Sequence, residues 1–243
     1  MNQINDLHKL IRNDLEIAGK ASSYPADANE PDPRYKSYGV RSQGKKEILA
    51  AHRQSIRALS VDQQIELATV LIHSRFGEQQ SVGLFILEKF PHYFSPNRFQ
   101  ELDALVRSLH GWSKVDACTG SLLRDILFQH PQEFSALVRT WNRDPDMWLR
   151  RTSVLLFTRK VAKSGQFTDF ALEMCSTLIY AEEDLVRKGV GWALKDLMRA
   201  DKVRIKEYVR QLRKEGVSST ITLYAIKDLK GQERVEFFKG KLG

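Results

Sequence analysis

The sequence predicts an all-helical protein built from repeated helix pairs, and three observations support this prediction. Apolar residues recur at helical spacing through most of the chain. Short polar or proline-containing turns separate these stretches, and no run shows the alternation of apolar and polar residues that is typical of strands. Large apolar residues also return at a period of 36 residues, which is a length typical of two-helix repeats.

The first 37 residues are predicted to form one helix followed by a proline-rich loop. Residues 3–20 carry apolar side chains at helical spacing, and the pattern ends at Gly19. These apolar residues are Ile4, Leu7, Leu10, Ile11 and Leu15. The segment from Ser22 to Pro33 is rich in proline and aspartate, which favours a loop. We assign residues 1–37 no role beyond covering one end of the helical stack.

From residue 38 to the end, amphipathic stretches follow one another with short interruptions. The interruptions are Phe90-Pro91, Ser95-Pro96, His130-Pro131 and Asp144-Pro145. Proline cannot continue a preceding helix, so these dipeptides indicate turns. We therefore expect helical repeats over residues 38–243, within a single domain of residues 1–243.

An internal repeat connects these helices. The stretch Ser81-Val82-Gly83-Leu84-Phe85 returns 72 residues later as Ser153-Val154-Leu155-Leu156-Phe157. The large apolar residues at half that period are Phe76, Trp112, Trp148 and, one residue late, Leu185. Chance similarity among amphipathic helices is the alternative. The repeat favours a HEAT-like α-solenoid, a curved stack of antiparallel helix pairs whose concave face is the usual binding surface.

The charge balance favours a polyanionic partner. The chain has 38 Lys and Arg against 30 Asp and Glu, a formal net charge of +8. Nucleic acid is the commonest partner for such an excess, and a solvated basic surface with no specific partner is the alternative. The predicted groove of the solenoid is accordingly expected to be basic.

Several classes of protein are disfavoured by motifs that are missing from the sequence. Cys118 and Cys175 cannot form a disulfide framework or a zinc site, and they are expected to be small buried apolar residues in a reducing compartment. There is no P-loop, no dinucleotide-binding glycine motif, no H-E-x-x-H and no G-x-S-x-G. We expect no metal or cofactor. Neither a signal peptide nor an apolar membrane span is visible, so a cytoplasmic protein without membrane contact is expected.

Three stretches place aromatic, acidic and basic residues together. They are Gly111–Asp116, Met147–Arg151 and Val190–Lys195. In the first, Trp112 and Asp116 are four residues apart and share a helix face. Near the third, Gly189 and Gly191 lie inside a helical pattern, where glycine costs roughly 1 kcal/mol relative to alanine. This indicates the close approach of another group, which is either a functional partner or a neighbouring helix.

In their order and spacing, these stretches resemble the AlkD-type family of bacterial DNA alkylation repair glycosylases. The similarity extends from about Tyr38 to the C-terminus and is densest between Trp112 and Lys195. The matching stretches are Val115-Asp116, Leu127–Pro131, Trp148–Arg151 and Gly191–Leu194. The resemblance implies HEAT-like repeats with a basic concave groove for duplex DNA. It also implies excision of cationic N3- or N7-alkylated purines without flipping the base into a pocket. Since a capped solenoid with this surface can work alone, we expect a monomer.

The resemblance also implies roles for individual residues. Asp116 matches the catalytic aspartate, while Trp112 and Trp192 match the two tryptophans of the lesion cleft. Arg151 matches an arginine close to the DNA backbone. The further candidates for phosphate contacts are Arg150, Lys188, Lys195, Arg41 and Lys45. Each of these residues also has an ordinary alternative, which is core packing for the tryptophans and a solvated face for the charged residues. Trp141 and Trp148 are assigned to the core.

The sequence departs from the family pattern at two positions. Family members often carry two adjacent tryptophans before the Val-Asp pair, whereas this chain has Gly111 at the first position. A proline that tends to follow the Gly-Val element is replaced here by Arg41-Ser42-Gln43. One wall of the lesion cleft is therefore missing or supplied elsewhere, and the start of the next helix is uncertain from sequence.

Two other functions remain open on sequence grounds. The first is a DNA-binding repeat protein without glycosylase activity that recognises branched or damaged duplexes. The second is a repeat scaffold whose basic face binds an acidic protein. A fold by itself does not decide among these functions.

Overall fold

The computed structural model describes residues 3–22, 32 and 34–239, and over these residues the fold is all-helical. Extended backbone in this part of the chain includes one isolated bridge, between Lys36 and Phe76. The predicted all-α class is confirmed. The chain comprises two compact units, Met1–His130 and Pro131–Gly243. The expected single domain over residues 1–243 stays a prediction.

The first unit contains eight α-helices among its described residues. They are α1 (Gln3–Lys20), α2 (Ser42–Ala51), α3 (Arg53–Arg57), α4 (Val61–Ile72), α5 (Gly77–Leu87), α6 (Phe99–Arg107), α7 (Trp112–Gly120) and α8 (Leu122–Gln129). Two short 3-10 helices, Pro91–Tyr93 and Pro96–Arg98, occupy the proline-containing connection before α6. Helices α4 and α5 pack against each other across a short connection and form a helical hairpin.

The second unit also contains eight α-helices among its described residues. They are α9 (Pro131–Asn142), α10 (Met147–Leu155), α11 (Arg159–Ser164), α12 (Thr168–Ser176), α13 (Asp184–Leu197), α14 (Lys202–Lys214), α15 (Ser219–Ala225) and α16 (Gly231–Lys239). Helix α13 is central to this unit because it packs against both α10 and α15. None of the helices that the structure describes in either unit is long and apolar enough to cross a membrane.

The predicted N-terminal helix is confirmed by α1. Ile4, Leu7, Ile11 and Leu15 are buried, as their helical spacing predicted, whereas Leu10, which was part of the same predicted pattern, is exposed. The apolar stripe of α1 packs against α2 and α4. Most of the proline-rich loop predicted between Ser22 and Pro33 lies outside the described residues.

The 36-residue period coincides with the starts of four helices. Phe76 is the N-cap residue of α5 and Trp112 is the first residue of α7. Trp148 and Leu185 are the second residues of α10 and α13. Each periodic residue therefore marks the entry to one helix per repeat, which confirms the predicted repeat of HEAT-like helical units.

The cores of the two units explain the remaining aromatic and cysteine residues. Trp141 and Trp148 are fully buried, so their assignment to the core is confirmed. Cys118 and Cys175 are buried free cysteines, and burial raises the pKa of both thiols to about 12. Both thiols are therefore protonated and inert at neutral pH.

The two helical glycines of α13 have a packing explanation. A Cβ atom on Gly191 would lie 2.7 Å from Cβ of Tyr224 and 2.9 Å from the carbonyl oxygen of Ile221. A Cβ atom on Gly189 would lie 3.2 Å from Cγ2 of Val154. The group that approaches each glycine closely is thus a neighbouring helix, α15 for Gly191 and α10 for Gly189.

This packing predicts different effects for the same substitution at the two glycines. We expect Gly191→Ala to destabilise the protein by about 1–3 kcal/mol, because the new methyl group meets backbone that cannot move without shifting α15. Gly189→Ala gains the same helix propensity, and its closest new contacts are side-chain atoms, Cγ2 of Val154 at 3.2 Å and Cγ of Arg151 at 3.6 Å. Its unfolding free energy should therefore stay within about 1 kcal/mol of the wild type. Urea unfolding measures both variants. Equal effects at the two positions would contradict the packing argument.

Candidate functional site

Helix α7 begins at a backbone position that requires glycine. Gly111, its N-cap residue, has φ of 83°, a conformation that side-chain-bearing residues rarely adopt. A tryptophan here would pay roughly 1–2 kcal/mol in backbone strain. Gly111 in place of the family tryptophan therefore suits the path of this chain. The missing aromatic ring is a consequence of how the chain enters α7.

Gln80 fixes the connection that leads to Gly111. Its side chain is fully buried, and Nε2, which carries two N–H donors, lies 3.1, 2.9 and 2.6 Å from the carbonyl oxygens of Ile72, Ser74 and Ser108. Its Oε1 accepts from the backbone N–H of His110 at 3.1 Å. A buried amide with this many partners holds the loop rigidly, so the start of α7 is set by a side chain of α5.

Trp112 and Asp116 lie on successive turns of α7 with very different environments. Trp112 is 52% exposed, while Asp116 is only 9% exposed. Core tryptophans are rarely this exposed to solvent, so the alternative that Trp112 is a core residue is wrong. Asp116 is a buried acidic residue one turn after the exposed indole, and burial strengthens the electrostatic effect of a carboxylate on a charge placed nearby.

Lys114, between these two residues, is a buried cation. Its Nζ lies 3.9 Å from the centroid of the Tyr35 ring, and the residue is only 4% exposed. A Cβ atom on Gly77 would lie 2.4 Å from Cε2 of Tyr35 and 2.7 Å from Nζ of Lys114. Glycine at the start of α5 therefore makes room for this cation–π pair. Tyr35 belongs to residues 1–37, so this segment packs against α7.

Glu78 anchors the extended segment that contains Tyr38, Gly39 and Val40. Its carboxylate is buried and accepts hydrogen bonds from the backbone N–H groups of all three residues, at 3.0–3.1 Å. It also accepts from Oγ of Ser37 at 2.6 Å. Tyr38 in turn stacks on Phe76, with ring centroids 4.1 Å apart. The segment is thus fixed to the start of α5.

The two basic candidates of α2 occupy different environments. Arg41 is the exposed N-cap residue of α2, in extended conformation, and makes no capping hydrogen bond with its side chain. Helix α2 therefore begins at Ser42 without the proline that is common in the family. Nζ of Lys45 lies 3.3 Å from Oγ of Ser81, and burial lowers the pKa of Lys45 while nearby Glu78 opposes this shift.

In the second unit, the two arginines of α10 make hydrogen bonds within the protein. Arg150 donates to the carbonyl oxygens of Asp144 and Pro145 and pairs with the carboxylate of Glu183. Arg151 is buried and donates from one guanidinium nitrogen to the carbonyl oxygen of Leu185 at 2.5 Å. Both side chains therefore tie α10 to the start of α13, and their proposed DNA contacts stay a prediction.

Lys188 and Lys195 lie on α13 and both have acidic neighbours. Nζ of Lys188 is 2.7 Å from Oδ2 of Asp184, and both side chains are about half exposed. Nζ of Lys195 lies 3.2 Å from Oδ1 of Asp196 and 3.5 Å from Oδ2 of Asp228, and its side chain is mostly buried. Exposed pairs such as Lys188–Asp184 contribute little to stability, so Lys188 can be redirected to a ligand at small cost.

Trp192 is held by a carboxylate on the next turn of α13. Its indole Nε1–H donates to Oδ2 of Asp196 at 3.1 Å. The guanidinium of Arg159 lies over the indole ring, 5.0 Å from its centroid. Trp192 is half-buried, so it is neither a pure core residue nor a free surface residue.

The structure therefore places Trp112 with Asp116 and Arg41 with Lys45 in the first unit, and the other candidates in the second. Sequence reasoning missed a group of residues that fix these candidates in place. They are Tyr35, Glu78, Gln80, Lys114, Arg159 and Asp196. The available signals were polar residues at positions where the helical pattern predicts apolar ones, as for Gln80 and Asp196. Such positions indicate buried polar groups that need partners.

The fold and these helix starts define a HEAT-like helical repeat protein. A family model described as DNA alkylation repair enzyme matches residues 13–229. The chain belongs to this family, which confirms the resemblance seen in the sequence and implies DNA as its partner.

Known structures agree with the fold. A structure described as a predicted DNA alkylation repair enzyme from Enterococcus faecalis superimposes with a TM-score of 0.67, covering 81% of this chain and 89% of that one. The two sequences are 17% identical, so this likeness concerns the fold alone. Comparison with curated proteins gives no significant match.

Proposed function

We propose that this protein is a DNA glycosylase that removes cationic N3- and N7-alkylated purines from duplex DNA. The reaction is hydrolysis of the N-glycosidic bond, and the base is not flipped into a pocket. The observation that carries the proposal is the pair on α7, a half-exposed Trp112 followed one turn later by the buried carboxylate of Asp116. Membership of the DNA alkylation repair family supports it.

The chemistry suits these residue types. An N3- or N7-alkylated purine carries a positive charge, so its glycosidic bond is already weakened and the base leaves as a neutral molecule. The enzyme needs no metal, no cofactor and no strong general acid for such a leaving group. It must stabilise positive charge that develops on the sugar and must orient a water molecule, and both tasks fit a carboxylate such as Asp116.

The expected rate enhancement is moderate. A preorganised charge such as Asp116 contributes about 3–4 kcal/mol. The indole faces of Trp112 and Trp192 each attract a cation by roughly 0.5–2 kcal/mol. If additive, these effects lower the barrier by about 4–8 kcal/mol, or some three to six powers of ten. This suffices for a labile lesion and is too little for an undamaged nucleotide, so the lesion itself supplies part of the selectivity.

A basic concave groove is proposed to hold the DNA backbone, with the protein acting as a monomer. Among the six basic candidates, Arg41 and Lys188 are the most accessible. We expect Arg41→Ala and Lys188→Ala each to reduce the slope of log affinity against log salt by about 1, because each removes one phosphate contact. Fluorescence anisotropy with a labelled duplex at several salt concentrations measures the slope. Lys9→Ala, an exposed lysine of α1, is the matched control and should leave the slope unchanged.

The deciding experiment measures release of 7-methylguanine and 3-methyladenine from methylated duplex DNA by the purified protein. The proposal expects release well above the spontaneous rate. Salt-dependent duplex binding without release would make the protein a DNA-structure binder instead. Absence of both would favour a protein-binding scaffold.

A further inference from the structure

Asp196 is a deeply buried acidic residue that contacts Trp192, a proposed lesion-binding residue. It lies on α13 and is only 1% exposed. Its Oδ2 accepts two hydrogen bonds, one from Nε1–H of Trp192 at 3.1 Å and one from the backbone N–H of Arg159 at 2.8 Å. A single oxygen atom therefore joins the indole of Trp192 to the residue that opens α11.

Arg159 is held in an unusual conformation by this contact. Its φ is 53°. Among the residues that the structure describes, Arg159 is the only non-glycine residue with positive φ. Such a conformation persists only where neighbouring contacts enforce it. The enforced backbone carries the guanidinium across one face of Trp192, 5.0 Å from the ring centroid. That face of the indole is thus already occupied by a cation.

The second oxygen of Asp196 faces two further cations. Oδ1 lies 3.2 Å from Nζ of Lys195 and 3.4 Å from a guanidinium nitrogen of Arg199, and it accepts no hydrogen bond of normal geometry. The negative charge of Asp196 therefore balances the charges of Lys195 and Arg199. The hydrogen bonds to its Oδ2 fix the positions of the Trp192 indole and the Arg159 backbone. These two contributions are separable, because asparagine keeps an acceptor oxygen and loses the charge.

We propose that Asp196 is a positioning residue that locks Trp192 and Arg159 into one rigid pair. The carboxylate fixes the indole plane through Nε1, and Arg159 covers one face of the ring. A second cation is repelled from the covered face, so a cationic base reaches Trp192 only from the remaining face or edge. This inference rests on the proposed role of Trp192 in lesion excision. It identifies Asp196 and Arg159 as the residues that set the orientation of the Trp192 ring and the face that a cationic base can reach.

The test compares three single variants and one double variant in the full chain. Asp196→Ala removes the acceptor, Asp196→Asn keeps it, and Trp192→Phe keeps an aromatic ring but removes the donor. We expect Asp196→Ala and Trp192→Phe each to slow release of 7-methylguanine by about 10- to 100-fold, the loss typical of a misplaced group. Asp196→Asn should stay within about threefold of the wild type. Because both changes break the same hydrogen bond, the double variant should be no slower than the slower single variant.

A second measurement does not depend on catalysis. Acrylamide quenching of tryptophan fluorescence, compared with that of the Trp192→Phe protein, isolates the contribution of Trp192. We expect Asp196→Ala to make Trp192 more accessible to the quencher and Asp196→Asn to leave its accessibility unchanged. Asp169→Ala, an exposed aspartate of α12, is the matched control and should alter neither release nor quenching.

The outcomes distinguish this inference from the proposed function. If the wild-type protein releases no base, the proposed function fails, and quenching still shows whether Asp196 orders Trp192. Unchanged quenching and release in a folded Asp196→Ala protein would overturn the inference. Additive losses in the double variant would overturn it as well, because Asp196 would then act by a route other than Trp192. If Asp196→Ala does not fold, Asp196→Asn is compared with Trp192→Phe. The inference expects Asp196→Asn to release 7-methylguanine faster than Trp192→Phe, because asparagine keeps the acceptor. Equal slowing by the two variants would contradict the inference.

Discussion

Replacing Asp116 by asparagine is expected to slow release of 7-methylguanine from duplex DNA by about 10²- to 10³-fold, the loss typical of removing one preorganised electrostatic contact in an active site. Asparagine has nearly the same shape but carries no charge, so it cannot oppose positive charge on the sugar. Asp116 is 9% exposed, and this burial strengthens its effect compared with a surface aspartate. Single-turnover release, with the protein in excess over the methylated duplex, measures the chemical step directly.

Two comparisons make this result specific to Asp116. Asp103→Asn, an aspartate of α6 that pairs with Arg107 on the protein surface, should leave release unchanged. Duplex affinity of Asp116→Asn should equal or exceed that of the wild type, because removing a negative charge does not weaken contacts with phosphates. Release within a few-fold of the wild type by Asp116→Asn would rule out Asp116 as the stabilising carboxylate.

Replacing Glu78 by glutamine is expected to destabilise the protein by about 2–4 kcal/mol. The buried carboxylate accepts three backbone N–H groups and one hydroxyl. Hydrogen bonds to charged groups contribute about 1.5–3 kcal/mol each, and an amide NH₂ group would face donors where an oxygen now accepts. The loss should appear in urea unfolding and as faster hydrogen exchange of the Tyr38, Gly39 and Val40 amides.

The matched control for this change is Glu66→Gln on α4, an exposed glutamate, which should change the unfolding free energy by less than about 0.5 kcal/mol. A change of that small size in Glu78→Gln would mean that the segment of residues 37–40 is held by other contacts. Other contacts between this segment and the start of α5 include the Tyr38–Phe76 stack and the hydrogen bond that Nε2 of Gln79 donates to the hydroxyl of Tyr38 at 2.8 Å.

Several features of this protein were determined by the sequence alone. The apolar spacing of residues 3–20 predicted α1, because a helix that packs on one side must repeat its apolar residues every three or four positions. The 36-residue period predicted the helix entries at Trp112 and Trp148. The order of the Trp112, Trp148 and Trp192 stretches predicted the family that the family model confirms. Periodicity succeeds here because it records burial, which is the largest energetic term in folding.

The partners of the polar residues were decided only by the tertiary structure. Arg150 pairs with Glu183, and Glu78 accepts from the backbone N–H groups of Tyr38, Gly39 and Val40. Neither set of partners has a signature in the hydrophobic pattern. Likewise, Gly191 was visible as an anomaly in a helix, but only the packing of α15 identifies Tyr224 as its neighbour. A hydrogen bond depends on the direction and distance of two particular atoms, often far apart in the chain, so spacing along the sequence does not encode it.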